Sequence, residues 1–337
     1  MKNYFLAILV IAMAITGCEK EPQEITNSTA DLKSVTKSNN YGVLVSSNTS
    51  GVINYYDVVN GISNPQRLSF EVPYADADGI VYDQKRDAIY QVNRTDSELV
   101  AYGGYDKASD GDMLMTTATG PSTFSNGREA TFYNNKVVIA DDLAEGGRLV
   151  SYHVNEKNIS DYREFNVDFQ VWGIQIVGKD LWAIEDATNK LAWFQDFFRA
   201  KSGDLDPTAE VAIEGLVRTH GLKYDAYSDT MVLTDIGDAG SADDGAIVII
   251  SSFTTKFMAA VNSDGIISME DQIRIAGDQT ELGNPVDVDF SNSKNAIFVA
   301  ERAQQKFLVF ELPIDSGNYA PVYSDDVPGA SAVTTTF

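Results

Sequence analysis

The chain has 337 residues, and its 49 acidic side chains outnumber its 25 Lys and Arg side chains, which gives a formal net charge of −24. A field of that sign repels phosphate backbones and anionic headgroups, so the composition excludes nucleic acid as a partner. Only one cysteine is present, which leaves no partner for an internal disulfide.

Residues 1–17 have the pattern of a signal peptide. Lys2 precedes an apolar run from Tyr4 to Ile15, and small residues then lead to Cys18. The run is shorter than the stretch of about 20 apolar residues that crosses a bilayer as a helix, which favours removal over a permanent span. The sequence Ile-Thr-Gly-Cys that ends at Cys18 resembles the lipobox of bacterial lipoproteins. This resemblance implies cleavage before Cys18 and acylation of its thiol with fatty acids such as palmitate; an ordinary secreted protein is the alternative.

Residues 18–40 are predicted to be a lipidated, flexible tether. They are polar and nearly free of large apolar side chains, so they cannot bury enough surface to fold. The acidic start Glu19, Lys20, Glu21 is similar to the signal that sends lipoproteins of Bacteroidetes-type bacteria to the cell surface. The resemblance implies a lipid-anchored location at the outer membrane, and a plain solvated linker is the alternative.

Residues 41–337 contain a repeat. Each copy has a short apolar strand, a polar turn, a second apolar strand that ends on Asn, Asp or Glu, a loop and a third strand. The copies recur at intervals of roughly 45 to 65 residues, which is typical of propeller blades. The five complete copies begin at Asp78, Arg128, Trp172, His220 and Val286.

The two ends of this region are predicted to complete a sixth blade. The segment from Gly42 supplies second and third strands without a first, and the segment from Gly329 has the character of a first strand with nothing after it. Joined, they close the ring and leave only short edges. The sequence therefore predicts an all-β fold, a six-bladed β-propeller, and the blade pattern resembles NHL-type and lactonase-type propellers.

Three segments lie outside the strand pattern. Residues 254–283 are longer than the repeat requires and are predicted to be a surface insertion. Short helices are predicted near 206–214 and 255–260, both in blade connections.

Two rings of residues are predicted to meet at one mouth of the channel, because the first strand of a blade starts there and the second ends there. The residue type in the strand-start ring differs from blade to blade, so we expect this ring to form a specific ligand-binding site. It comprises Asp78, Arg128 with Glu129, Trp172, His220, Val286 and Ser331. The strand-end ring is polar in every blade and comprises Asn48, Asn93, Asp141, Glu185, Asp235 and Glu301.

The strand-end ring has two interpretations. Its oxygen atoms are the ligands that Ca²⁺ prefers, whereas Asn and Asp at a repeated turn also cap backbone N–H groups. Resemblance to six-bladed lactonases implies a metal site at Glu129, Asn93, Asp141 and Asp235, with His220 as the catalytic base. Trp172 and Val286 depart from that pattern, because the family places Asn or Asp at such positions.

Three further features have open alternatives. The Gly-rich acidic loop from Asp235 to Gly245 is either a cation-binding loop or a solvated one. His220 is either a ligand or proton-transfer group, or a structural histidine bonded to a carboxylate. His153, in an outer-strand run, is predicted either to be at the surface or to take part in packing. Trp172 is predicted to be a stacking platform for a sugar or aromatic ligand, and Trp182 and Trp193 to be in the core.

The sequence thus favours a lipid-anchored envelope protein whose propeller mouth binds a small molecule, a glycan or a protein. The predicted ligand-binding residues are Asp78, Arg128, Glu129, Trp172 and His220. The alternative is a Ca²⁺-dependent hydrolase of lactonase or esterase type at the same face, and a structural part of an envelope complex is the third hypothesis.

Overall fold

The computed structural model describes residues 41–155 and 157–337. The predicted signal peptide and tether, with the predicted acylation site Cys18, lie outside the described residues. Within the described residues, the chain forms six sheets, each a blade of a ring. The sheets are antiparallel except for a short parallel edge strand on two of them, and the prediction of a six-bladed β-propeller is confirmed.

The strands follow the chain blade by blade. Blade 1 contains β1 (Gly42–Ser47), β2 (Val52–Asp57) and β3 (Gln66–Glu71), and blade 2 contains β4 (Ala77–Asp83), β5 (Ala88–Asn93), β6 (Glu98–Gly103) and β7 (Met115–Thr119). Blade 3 contains β8 (Gly127–Tyr133), β9 (Lys136–Asp142), β10 (Gly147–Val154) and β11 (Ile159–Val167). Blade 4 contains β12 (Val171–Val177), β13 (Asp180–Glu185), β14 (Lys190–Phe194) and β16 (Ala209–Ile213). The short strand β15 (Gly203–Asp204), between β14 and β16 in the chain, lies on the edge of blade 3.

The last blades carry the insertion. Blade 5 contains β17 (Thr219–Asp225), β18 (Thr230–Asp235), β19 (Ala246–Ser251) and, after helix α1 (Phe253–Val261) and the short strand β20 (Ile266–Ile267), β21 (Ile273–Ala276). Blade 6 contains β22 (Pro285–Ser291), β23 (Ala296–Glu301), β24 (Lys306–Glu311) and β25 (Tyr323–Asp326). Short 3₁₀ turns occur at Tyr105–Lys107, Phe197–Arg199 and Met269–Asp271.

The ring closes as predicted. The last strand, β26 (Ala330–Thr335), pairs antiparallel with β1 and becomes the innermost strand of blade 1. Closure leaves the ring without a long unpaired inner edge, which is how propellers avoid edge-to-edge association.

The core lies between neighbouring blades. Blade 4 contributes Trp182 and Leu191 to one continuous cluster, and blade 5 contributes Met231 and Leu233 to the same cluster. Both faces of most strands are covered, so their burial is nearly continuous along the strand instead of alternating.

Glycine at the start of the inner strands allows the blades to approach closely. A Cβ on Gly173 would lie 2.2 Å from the carbonyl oxygen of His220, and one on Gly221 would lie 2.7 Å from the Cα of Asp287. Each inner strand also has a register shift close to the mouth, and a bulge of this kind turns one side chain out of the sheet. This places the strand-start residues around the mouth.

Two details of the strand assignment differ from the sequence prediction. Residues 206–214, predicted to be helical, contain strand β16, whereas the helix predicted at 255–260 lies within α1. The predicted insertion 254–283 is only partly extra, because β21 is the fourth strand of blade 5. In the part of the chain that the structure covers, no helix has the length and apolarity to span a membrane.

Candidate functional site

The two rings meet at one mouth of the channel, and a repeated hydrogen bond sets their register. In each blade the residue after the strand-end ring position donates its N–H to the carbonyl that directly precedes the inner strand. Examples are Arg94 to Asp76 (2.9 Å) and Asp186 to Gln170 (2.8 Å). The donors are Asn48, Arg94, Asp142, Asp186, Ile236 and Arg302. Asn48 is one of these donors and is therefore not a strand-end residue as predicted. Ser47 is the strand-end residue of blade 1.

The strand-end side chains cap the loops beside them. Asp141 accepts hydrogen bonds from the N–H groups of Ser125 (2.9 Å) and Asn126 (2.7 Å) and forms an ion pair with Arg148. Asp235 accepts from Val217 and Arg218, and Glu301 accepts from Gly283 and Asn284. These contacts match the capping interpretation of the ring.

The four metal candidates are not brought together. Asn93 accepts a hydrogen bond from the N–H of Thr95 in its own loop, Asp141 and Asp235 cap theirs, and Glu129 lies in the channel. Among residues 41–155 and 157–337, no group of three or more His, Cys, Asp or Glu has the geometry to hold a metal ion.

A cavity of about 150 Å³ occupies the mouth. All six strand-start residues line it, including four of the five predicted ligand-binding residues; the fifth, Glu129, lies one position further along and lines the channel. The lining residues are Asn48, Asp78, Arg128, Trp172, His220, Asn284, Val286, Arg302 and Ser331.

Trp172 is the centre of a three-layer stack. Its ring lies 3.7 Å from the ring of His220 with an interplanar angle of 3°, and the Arg128 guanidinium carbon lies 4.0 Å from the indole centroid. Trp172 belongs to blade 4, which lies between blade 3 with Arg128 and blade 5 with His220. The two partners therefore cover opposite faces of the indole. The structure therefore contradicts the prediction of a free stacking platform, because the π-faces already contact the protein's own cation and imidazole.

His220 is held by a carboxylate. Its Nε2 lies 3.1 Å from Oδ1 of Asp186, and Arg218 binds both oxygens of the same carboxylate at 2.7 Å. Burial opposes ionisation of Asp186, but the hydrogen bonds from His220 and Arg218 outweigh it and lower its pKa. Burial lowers the pKa of His220, which favours the neutral imidazole. Its Nδ1 has no hydrogen-bond partner within the described chain.

Asp78 is a second buried carboxyl at the mouth. The Oδ2 of Asp78 lies 3.4 Å from Nη1 of Arg94 and 3.6 Å from Nη1 of Arg128. Burial raises the pKa of Asp78 to about 7 despite the two nearby guanidinium groups. Arg128 also approaches Asp142 at 3.7 Å, so this arginine is neutralised by its surroundings.

Arg302 differs from the other mouth arginines. In the described ranges its guanidinium forms no ion pair and no hydrogen bond, although it lines the mouth cavity of a strongly acidic protein. Two amide oxygens of the same cavity, Asn48 Oδ1 and Asn284 Oδ1, are buried without a hydrogen-bond partner. The cavity thus offers one unpaired cation beside two unsatisfied amides.

The channel behind the mouth contains a carboxyl pair. A cavity of about 180 Å³ is lined by Glu129 and Asp287, with the ion pair between Lys223 and Asp289 (2.9 Å) further along. Burial, followed by the charge of Asp287, raises the pKa of Glu129, and burial raises that of Asp287 to about 7. Two buried carboxyls in contact share a proton, because ionisation of both would place two negative charges side by side at a high cost in free energy.

The mouth does not fit the Ca²⁺ that the lactonase resemblance implies. Arg128, Trp172 and Val286 line the cavity where that site needs oxygen ligands, and Arg302 adds a positive charge. The unpaired Arg302 donor repels Ca²⁺ and favours an anion, while Asn48 and Asn284 supply neutral acceptor oxygens.

Two predicted features lie away from the cavity. The side chain of His153 is exposed on β10, as predicted. The acidic loop uses its carboxylates locally: Asp238 accepts from the N–H of Gly240, and Asp244 accepts from the N–H of Asp238.

Sequence reasoning missed Asp186, Asn284 and Arg302. Asp186 and Arg302 directly follow strand-end residues whose side chains turn back into the loop, and Asn284 directly precedes the inner strand β22. Of the three, Asn284 and Arg302 line the mouth cavity. A polar residue directly after the strand end, as in Glu185-Asp186 and Glu301-Arg302, was the available signal in five blades, whereas Ile236 follows Asp235 in the other.

No family model and no curated protein matches the chain. Solved structures do. A chain of a nidogen/laminin complex is 10% identical with a TM-score of 0.63, and a candidate 6-phosphogluconolactonase from Bacteroides fragilis is 12% identical with a TM-score of 0.58. The periplasmic gluconolactonase PpgL of Pseudomonas aeruginosa is 12% identical with a TM-score of 0.55; in all three cases 88% of this chain and 98% of the other are covered.

Identities this low show the fold alone. The comparisons therefore define the chain as a six-bladed β-propeller with lactonase-type propellers among its structural neighbours.

Proposed function

We propose that this protein is an envelope-attached binding module whose propeller mouth takes up a small carboxylate ligand. The observation that carries the proposal is the unpaired Arg302 guanidinium in the mouth cavity. A guanidinium presents a planar fork that matches a carboxylate with two parallel hydrogen bonds. The acidic residue of the same cavity wall, Asp78, is already paired with Arg94 and Arg128, so it leaves Arg302 available to a ligand.

The amides beside Arg302 specify the rest of the ligand. Asn48 and Asn284 have unsatisfied oxygen atoms, which accept hydrogen bonds from hydroxyl or amide groups. A buried acceptor without a partner costs roughly 1 to 3 kcal/mol, so a ligand hydroxyl that satisfies it gains affinity. A small hydroxylated carboxylate therefore fits the cavity, whose volume is about 150 Å³.

A lipid anchor at Cys18 would hold this site on a tether at the outer membrane. The sequence patterns of residues 1–40 support that location, and the tether gives the mouth access to ligands that arrive from outside the cell.

The test is calorimetric titration of the protein with gluconate, lactate and their neutral amides. We expect the acids to bind, and we expect Arg302→Gln to weaken them at least tenfold, about 1.4 kcal/mol, because the charge-assisted contact is lost. Arg199→Gln is the matched control, since the Arg199 side chain is 84% exposed and away from the mouth. Equal binding of acids and amides, or an unchanged affinity in Arg302→Gln, would contradict the proposal.

A metal-independent hydrolase is the second candidate. The neutral His220 held by Asp186 is an arrangement suited to a general base, and it lines the same cavity. Two similar structures bear lactonase names, which is a likeness of fold. Incubation of the same samples with gluconolactone in EDTA separates the two functions: ring opening above the spontaneous rate that His220→Gln abolishes would favour the hydrolase.

A further inference from the structure

A second cavity lies between blades 4 and 5, at the ends of their inner strands remote from the mouth. Its volume is about 350 Å³, and it shares no lining residue with the mouth cavity. The insertion after β19 forms one of its walls through helix α1. The lining residues are Val177, Asp180, Trp182, Trp193, Tyr224, Ala226, Thr254, Phe257 and Met258.

Four aromatic rings make up most of the wall. Phe257 of α1 meets Trp182 at 4.9 Å and 87°, and meets Trp193 at 6.2 Å and 82°. Tyr224 meets Trp182 at 6.1 Å and 60°. Rings at these distances are in direct edge-to-face contact and form a rigid wall, in which Trp193 stays partly exposed. The electron-rich faces of Trp and Tyr attract cations.

One carboxylate accompanies the rings. Asp180 accepts the Nε1–H of Trp193 at 3.2 Å and the backbone N–H of Asp196 at 2.9 Å, so it fixes the indole and adds a negative charge to the lining. Behind Tyr224, Asp229 accepts the phenol hydroxyl at 3.0 Å. The nine lining residues include no Lys, Arg or His.

Residues 41–155 and 157–337 place no basic side chain of their own over these rings. Within the described residues, the basic side chains that lie over aromatic rings do so at Trp172, Phe198, Phe165 and Tyr41. An anion would be repelled by Asp180 and by the net charge of −24. Met258, 43% exposed at the rim, provides a flexible apolar contact for ligands of varied shape.

We propose that the cavity between blades 4 and 5 binds a small organic cation, an ammonium group on an apolar body. The ammonium contacts the aromatic faces near Asp180, and the apolar part packs against Phe257 and Met258. The site is independent of the mouth and makes the insertion helix a ligand-binding element.

The probe is benzyltrimethylammonium, titrated into the protein while tryptophan fluorescence and heat are recorded, with benzyl alcohol as the neutral ligand and benzoate as the anion. We expect the cation to bind at least tenfold more tightly than either. Asp180→Asn keeps an oxygen for the Trp193 N–H and removes the charge, so it abolishes that preference and leaves benzyl alcohol unchanged. Trp193→Leu is expected to weaken binding of the cation, because the π-face of the indole is lost.

The matched controls are Asp206→Asn, an exposed aspartate of the loop before β16, and Arg302→Gln at the mouth. Both are expected to bind the probe like the unaltered protein. Melting curves confirm that each variant is folded. Benzyl alcohol binding as tightly as the cation, absence of cation binding, or cation binding that Asp180→Asn leaves intact would each overturn the proposal.

Discussion

At the scale of single residues, the buried pair Glu129 and Asp287 links the stability of the propeller to pH. Burial raises the pKa of Asp287 to about 7, against about 3.9 in an unfolded chain, so the native state holds its proton more tightly. The stability that this proton contributes is complete below about pH 4 and is lost as the pH rises through about 7. We therefore expect the free energy of unfolding to fall between pH 5 and 8, with a slope of up to about 1.4 kcal/mol per pH unit while only the native state keeps the proton.

Asp287→Asn isolates this effect. The amide keeps an oxygen to accept the N–H of Val333, which lies 2.7 Å from the carboxylate in the native protein, and it cannot ionise. Urea unfolding at pH 5 and pH 8 should give a smaller difference for this variant, whereas the exposed Asp315→Asn should behave like the unaltered protein. If Asp287→Asn shows the same pH dependence as the unaltered protein, the pair does not share a proton.

The residues of the mouth show what the sequence can predict and what it cannot. The six strand-start residues line one cavity, each as the second residue of its inner strand, and the start of an apolar strand is visible in sequence. The stack of Arg128, Trp172 and His220 was not predictable, since it depends on distances between three different blades. The error at Asn48 has a local origin: Ser47 is the cap of that loop, with an Oγ that accepts from the N–H groups of Thr49 and Ser50, and serine was not recognised as equivalent to Asp.

At the scale of elements, β26 holds the ring together. Its residues pair with β1, and the carboxylates of Asp287 and Asp289 in blade 6 accept the N–H groups of Val333 and Thr335. The Oγ of Ser331 donates to the carbonyl of Ala77 in blade 2. One strand therefore connects three neighbouring blades.

Removal of residues 328–337 should destabilise the protein by at least about 5 kcal/mol, because about five net hydrogen bonds of roughly 1 kcal/mol each are lost together with buried apolar area. That loss equals the whole stability of many domains, so unfolding at 37 °C is expected. Circular dichroism melting measures it, with removal of Phe337 alone, a 39% exposed residue, as the control. An unchanged melting temperature after the larger truncation would mean that β26 does not close the ring.

Local sequence predicted one blade connection correctly and another wrongly. In α1, Phe253, Phe257 and Ala260 are spaced for one helical face, and all three are buried against blade 4 or 5. Residues 206–214 contain good helix formers, yet Val211 and Ile213 alternate with more exposed neighbours and pack as a strand. Pairing with β14 overrides helix propensity there, because an unpaired strand edge would remain without β16.

At the scale of the whole molecule, the repeat made the architecture predictable. Each blade cannot bury its faces alone, so the count of repeats and the incomplete ends of the chain together specify a closed ring. Charge acts at the same scale: a net charge of −24 disfavours anions everywhere, which makes the unpaired Arg302 a local exception to the field of the molecule.

The membrane attachment proposed for the whole molecule depends on one side chain. The six blades are complete within residues 41–337, so loss of Cys18 should leave the melting temperature unchanged while it removes the only thiol available for acylation. A single acyl chain gives weak, reversible binding, and several chains on one residue anchor stably at about 0.8 kcal/mol for each buried CH₂. Cys18→Ala should therefore abolish incorporation of labelled palmitate and move the protein from the carbonate-washed membrane pellet to the soluble fraction. Ser28→Ala in the tether is the control and should stay in the pellet; a Cys18→Ala protein that also stays there would show that the attachment is not by lipid on Cys18.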